Sequence, residues 1–219
     1  TVLSTENGTK IHFSRELRKP KMQNTESIEA IDFGYTEAMT DTNGNRYGEN
    51  LGSILNKMTE QCHKKMQKRH RLHSLEKSLR DKNPKKAAKI KKRNLGRKKL
   101  NKKMKKAKAA LSTEINKGIN ELLKKQKPSI LVTENLRHKF SFKKSKKENR
   151  KLSSWVRGEL QDRIIFKSLA KGFRHEQVNP AYGSQACPEC DYVDLDNRKS
   201  DKFKCLNCGH EDLADRVAA

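Results

Sequence analysis

Four cysteines carry the most specific chemistry in the chain: Cys187-Pro-Glu-Cys190 and Cys205-Leu-Asn-Cys208, separated by 14 residues. In a Cys-x-x-Cys knuckle, one tight turn presents two thiolates to the same ion, and two knuckles close a tetrahedral S₄ shell around zinc. A closed four-Cys shell has no open coordination position, so Zn²⁺ here is expected to be structural. Gly209 follows the second pair, where the knuckle turn favours a residue free to take positive φ. The fifth cysteine, Cys62, lies in a helical pattern and reads as a core thiol.

Three further segments each deliver an acid from apolar surroundings. Asp32 interrupts Ala30-Ile31-Asp32-Phe33-Gly34, and Glu134 ends the β-like run Ile130-Leu131-Val132-Thr133-Glu134. Asp212 and Asp215 open a helical run that reaches Ala219. An acid at the C-terminal end of a strand is placed where α/β sheets do chemistry, although turn and capping roles use the same positions. Carboxylates brought together repel one another unless cations neutralise them, and they select hard ions such as Mg²⁺. Two such ions about 4 Å apart can activate water and stabilise the leaving oxygen of a phosphodiester.

The elements that must position these groups are legible from periodicity. Asp41-Thr42-Asn43-Gly44 reads as a type I′ hairpin turn joining strands at 31–40 and 45–49. Leu51, Ile54, Leu55, Met58, Cys62, Met66, Leu72, Leu75 and Leu79 recur at helical intervals. After a break at Asn83-Pro84, Leu100, Met104, Ala107, Leu111, Ile115, Ile119 and Leu122 repeat the pattern. This predicts two long antiparallel helices, with weak periodicity over 85–99. A further amphipathic helix is expected from Leu152 to Phe173, capped by Ser153 or Ser154, followed by a short strand at 177–181.

The charge is regional. The net charge is +25, and Lys64 to Lys127 holds 26 Lys and Arg against four acids, whereas the chain from Tyr182 onward holds eight acids and five bases. A solvated helix face normally mixes both signs, so a one-signed face points to phosphate contacts that are independent of base sequence. With 32% hydrophobic residues, the chain supports one modest core. No apolar run approaches the roughly 20 residues that span a bilayer, and no signal peptide is evident, so no membrane partner is expected.

The segments "AIDFGYTEAMTDTNG", "ILVTENL", "VNPAYGSQACPEC" and "FKCLNCGHEDLADRVAA" resemble, in that order, the TnpB/OrfB family of transposon-encoded proteins related to type V CRISPR effectors. The resemblance implies an α/β, RNase H-like RuvC nuclease domain with an inserted basic helical hairpin and an inserted four-Cys zinc ribbon. It divides the chain into an N-terminal remnant at 1–28, a nuclease core at 29–49, 128–181 and 211–219, the hairpin at 50–127 and the ribbon at 182–210. It selects Asp32, Glu134 and Asp215 as the catalytic, Mg²⁺-binding acids. Asp215 is preferred to Asp212 because Asp215-Arg216-Val217-Ala218-Ala219 fits the family's Asp-x-Asn-Ala-Ala frame, with Val217 in place of Asn. Gly183 stands where Thr is common.

The implied activity is RNA-guided cutting of DNA by two-metal hydrolysis, with guide RNA and target DNA as partners and no small-molecule substrate. The expected setting is the cytoplasm, at the nucleoid. Full-length relatives carry a recognition and wedge region before the first strand and continue past the final Ala-Ala, so the chain reads as truncated at both ends. The alternatives are a nuclease-inactive nucleic-acid-binding remnant or repressor, and a basic zinc protein of the ribosome. The ribosomal reading accounts for the charge and the ribbon but not for three acids in this order.

Overall fold

The computed structural model describes residues 2–5, 8–11, 26–135 and 157–219, with scattered positions between 13 and 22. Strands β1 (Val2–Thr5) and β2 (Gly8–Ile11) pair as an exposed antiparallel hairpin. The main sheet is built from β3 (Ile28–Asp32), β4 (Met39–Asp41), β5 (Arg46–Tyr47), β6 (Ile130–Glu134) and β7 (Arg174–Val178), in the order β5-β4-β3-β6-β7. β5, β4 and β3 are antiparallel, whereas β3, β6 and β7 are parallel.

The strand expected at 31–40 is two strands. Gly34 forces the break: a Cβ there would meet the Glu37 carbonyl oxygen at 2.6 Å, so only glycine allows the chain to fold back. The turn into β5 also differs from the expected type I′. Among the turn residues only Gly44 has positive φ (76°), and its N–H bonds to the Asp41 carbonyl at 2.9 Å, giving a type I turn closed by a left-handed glycine. Asp41 determines that geometry. Its buried carboxylate accepts from the backbone N–H groups of Asn43 (3.0 Å) and Asn45 (2.8 Å), from Tyr47 Oη (2.8 Å) and from Gln126 Nε2 (2.6 Å). Burial pushes its carboxyl pKa up, but these bonds outweigh burial and hold it below the usual value.

Between β5 and β6 lie α1 (Leu51–Leu79), α2 (Pro84–Asn94) and α3 (Lys98–Gln126). α1 and α3 are antiparallel, because Asn50 reaches Glu114, Cys62 lies by Met104, and Arg69 reaches Gly96. Cys62 is half-buried at this seam. The weakly periodic stretch is a helix of its own: Asn83 caps the Lys86 N–H at 3.0 Å, Pro84 occupies the first turn, and buried Ala87 and Leu95 give it a packing face.

Leu51 and Leu55 of α1, and Leu111, Ile115, Ile119 and Leu122 of α3, join Ile31, Met39 and Leu131 of the sheet in one core. Each fully buried aliphatic side chain contributes about 2 kcal/mol. Gly118 permits the approach of α3, since a Cβ there would sit 3.0 Å from the Gly48 nitrogen. α4 (Arg157–Lys171) adds Leu160 and Ile164 to the core and is tied to α3 by Arg163, which donates to Asn116 and Ser112. The start expected for this helix, with Ser153 or Ser154 as cap, lies outside the described residues. The strand expected at 177–181 begins earlier, at Arg174, because Gly172 ends α4 and Arg174 immediately pairs with Ile130.

The remaining strands, β8 (Arg198–Lys199), β9 (Lys202–Lys204) and β10 (Glu211–Leu213), form a second sheet that runs directly into α5 (Ala214–Ala218). The architecture is mixed α/β. Among the described residues, no helix is long and apolar enough to cross a membrane.

Candidate functional site

The pairing register brings two of the three expected acids together. β3 and β6 are parallel with Ile31 opposite Thr133, so the next residues, Asp32 and Glu134, end neighbouring strands side by side. The side-chain alternation puts Ile31, Leu131 and Thr133 in the buried face and leaves Asp32 and Glu134 on the other. Gln161 of α4 donates to the Glu134 carbonyl at 3.0 Å and fixes that strand end. Gly183 lies beside Glu134: a Cβ there would sit 3.8 Å from Glu134 Oε1, in ordinary contact.

Asp215 arrives from the other sheet, in the first turn of α5. α5 is held against β9, where the Ala214 N–H bonds to the Asp201 carbonyl at 3.0 Å, and against the main sheet, where Arg216 Nε donates to the Thr42 carbonyl at 3.0 Å. Asp215, rather than Asp212, confronts Asp32 electrostatically; Asp212 is engaged by Arg216 at 3.4 Å.

Burial and then the Asp215 charge raise the Asp32 carboxyl from 3.8 to about 6. Burial and then Asp32 raise Glu134 from 4.5 to about 7. Arg198 of β8 opposes both shifts, and its Nη2 donates to Asp215 Oδ1 at 3.0 Å. One guanidinium from the cysteine-bearing region thus stands among three acids from three elements. Buried Glu37 is a fourth acid in this field, raised by burial and, more weakly, by Asp215 against the pull of Arg46. Periodicity pointed to neither Arg198 nor Glu37. Arg198 opens a two-residue strand and Glu37 lies in an irregular turn, both positioned by tertiary contacts, and the Gly34 break is the only local sign that Glu37 folds back.

A carboxyl whose pKa is higher folded than unfolded binds its proton more tightly in the folded state. Its stabilising contribution is complete below about pH 4 and is lost as pH rises through the folded value. Without divalent ions, Asp32→Asn is therefore expected to gain stability over the parent as pH rises from about 4 to about 7, reaching about 1–3 kcal/mol at neutrality. Urea unfolding of both proteins across that range, in EDTA-free buffer treated to remove divalent ions but not zinc, measures the gap. A constant difference would place Asp32 in an unstrained, solvated setting.

The four cysteines form the second cluster. Their sulfurs all lie within 4.8 Å of one another, with Cys187–Cys208 and Cys190–Cys205 each at 3.6 Å. Zinc–sulfur bonds of about 2.3 Å in a tetrahedron put sulfurs about 3.8 Å apart, so the cluster could hold a zinc ion. In each knuckle the residue after the second cysteine adopts positive φ: Gly209 at 77°, and Asp191 at 57°. Cys187, Cys205, Phe203 and Ala214 share one small core, so the cysteine cluster and the start of α5 pack together. Among the described residues no other group of three or more His, Cys, Asp or Glu ligand atoms is this tight, and the acids around Arg198 are spaced more openly.

A mixed α/β fold with acids gathered at strand ends, beside a four-Cys ribbon, defines a class for which likenesses exist. Residues 158–219 match the family described as Cas12f1-like, TNB domain. The CRISPR-associated endodeoxyribonuclease Cas12f1 of Sulfoacidibacillus thermotolerans is 40% identical over 72 residues, covering 32% of this chain and 17% of that protein. A TnpB-like protein of Aquifex aeolicus (strain VF5) is 36% identical over 75 residues, covering 33% of this chain and 24% of that protein. In three dimensions, a CRISPR-Cas12f ternary complex matches with a TM-score of 0.56 and 22% identity over 96% of this chain and 40% of that one. A Cas12f1-sgRNA-target DNA complex matches with a TM-score of 0.52 and 21% identity over 100% of this chain and 54% of that one. The C-terminal part of the chain is thus similar to Cas12f1 and TnpB-like proteins, and the chain spans less than a quarter of the length of the curated relatives it matches.

Proposed function

We propose that this chain is the RuvC-like, RNase H-type nuclease portion of an RNA-guided DNA endonuclease, acting on DNA paired to a guide RNA. The observation that supports the reading best is the placement of Asp32 and Glu134 at the ends of two neighbouring parallel strands, with Asp215 at the start of α5 close enough that its charge raises Asp32, which in turn raises Glu134. Carboxylates whose pKa values are raised by burial and by one another favour a bound cation. Asp32, Glu134 and Asp215 would hold Mg²⁺, which when bound supplies activated water and charge stabilisation for phosphodiester hydrolysis.

The chain's own groups have distinct parts in this reading. Asp32 and Glu134 offer oxygens from the C-terminal ends of two interior strands of the sheet, and Asp215 offers one from the ribbon side. Arg198 neutralises the cluster and is placed to meet a phosphate oxygen. The four-Cys ribbon, with zinc, keeps Arg198 and Asp215 opposite the sheet. The division into nuclease core, basic hairpin at 50–127 and ribbon at 182–210 belongs to the same reading. Guide RNA and target DNA are the partners in this reading, as in the Cas12f1-sgRNA-target DNA complex whose fold the chain resembles.

The test is single-turnover nicking of an end-labelled DNA strand paired to RNA, with Mg²⁺ and then with EDTA. Products bearing 5′ phosphates that appear with Mg²⁺ and vanish with EDTA are expected. Tight binding without cutting in Mg²⁺ would instead identify a binding protein, and cutting that survives EDTA would remove the carboxylate assignment.

A further inference from the structure

The structure assigns a discrete nucleic-acid phosphate site to a cleft of about 430 Å³ where α1, α2 and α3 meet. It rests on the reading above only in taking nucleic acid as the polyanion. Besides Arg69, which is committed to backbone carbonyls, its cations are Lys65 and Lys68 from α1, Lys92 and Arg93 from α2, and Lys98 and Lys99 from α3, over a half-buried floor of Leu72 and Leu100. No acid lines the cleft. Among the described residues, none of these six cations is in a salt bridge.

Two observations separate this cleft from the general basic surface. First, its walls are fixed. Arg69 of α1 donates to the Leu95 carbonyl at 2.7 Å and to the Gly96 carbonyl at 2.9 Å, tying the α2–α3 connection to α1, while buried Ala87 and Leu95 hold α2 in place. The lysines therefore converge on one concavity rather than spreading along a rod. Second, helix energetics do not account for them all. Lys92 and Arg93 suit the last turn of α2, but Lys98 and Lys99 occupy the first turn of α3, where the helix dipole disfavours cations and no acid is present. Like charges held together without a counter-ion repel, and a backbone phosphate relieves that repulsion while releasing its own counterions. Lysine reads charge, so the contact is independent of base sequence.

The experiment measures the salt dependence of binding to a fluorescein-labelled DNA duplex of about 20 base pairs, in which each phosphate contact contributes about 0.9 to the slope of log K against log salt. EDTA at a level that leaves the cysteine cluster intact prevents cleavage, so the readout is independent of nuclease activity. Lys92→Gln with Lys99→Gln is expected to lower the slope by about 1.8. Lys105→Gln with Lys108→Gln removes the same charge from exposed positions on α3 outside the cleft and is expected to change the slope by less than about half as much. The pair Lys92→Arg and Lys99→Arg should keep the parent slope. Equal losses from the cleft and control pairs, or no loss from the cleft pair, would overturn the assignment in favour of a diffuse basic surface. Absence of Mg²⁺-dependent cutting by the parent in the separate nicking assay, together with a slope lowered by the cleft pair, would count against the nuclease reading and leave the cleft standing.

Discussion

Asp32→Ala is expected to lower the rate of Mg²⁺-dependent cleavage on the order of 10³-fold, about 4 kcal/mol of barrier, while binding to guide RNA stays within about twofold. Asp32 is the most deeply embedded of the three acids and couples to both sides of the cluster: Asp215 raises it, and it raises Glu134. Removing it takes away an oxygen that Glu37 cannot replace, because Glu37 already faces Arg46 at 3.9 Å. Binding is spared because the basic helices lie elsewhere. Single-turnover rates and equilibrium binding on the same preparations make the comparison. Cleavage within tenfold of the parent would mean that Asp32 carries no part of the chemistry.

The second large effect concerns the ribbon. Cys205→Ser is expected to release zinc, unfold residues from about 182 onward, and abolish cleavage, while the core of α1, α3 and the main sheet remains folded. Structural zinc binding is worth about 10–16 kcal/mol in small zinc domains, far more than this sheet of three short strands can supply by packing. Cys205 shares a core with Ala214, the residue that begins α5, so loss of the metal frees Asp215 and the Arg198 that bonds it. Hydrogen exchange followed by peptide resolves the two regions: protection should vanish over 182–219 and persist at Leu111 to Leu122. Metal analysis should find one zinc per parent chain and none in the variant. Undiminished protection over 211–218 would show that α5 is held by the main sheet alone.

Much of the fold was legible because it rests on local regularities. Apolar spacing marked α1 and α3, since one face of each meets a core. The apolar run before Glu134 marked β6, and Cys-x-x-Cys spacing marked the ribbon. The misreadings have equally local causes. The strand from Ile31 to Thr40 was read as continuous because one glycine inside an apolar stretch does not reveal how close the Glu37 carbonyl comes to it. The Asn-Gly pair suggested a type I′ turn, but the buried Asp41 carboxylate accepts two backbone N–H groups and selects a different one. The helix at 84–94 escaped periodicity because it buries little more than Ala87 and Leu95.

The sequence by itself determined which residues have the chemistry: four thiols at metal-binding spacing, acids at the ends of apolar runs, and a basic block of one sign. Only the tertiary structure decided which of them lie together. Parallel pairing of β3 with β6 set Asp32 beside Glu134 across about 100 residues of intervening chain. Docking of α5 between the two sheets set the charge of Asp215 against Asp32 and brought Arg198 to Asp215. Such choices depend on burial, on a low-dielectric setting and on charges distant in the chain, and none of these is a property of any short stretch of residues.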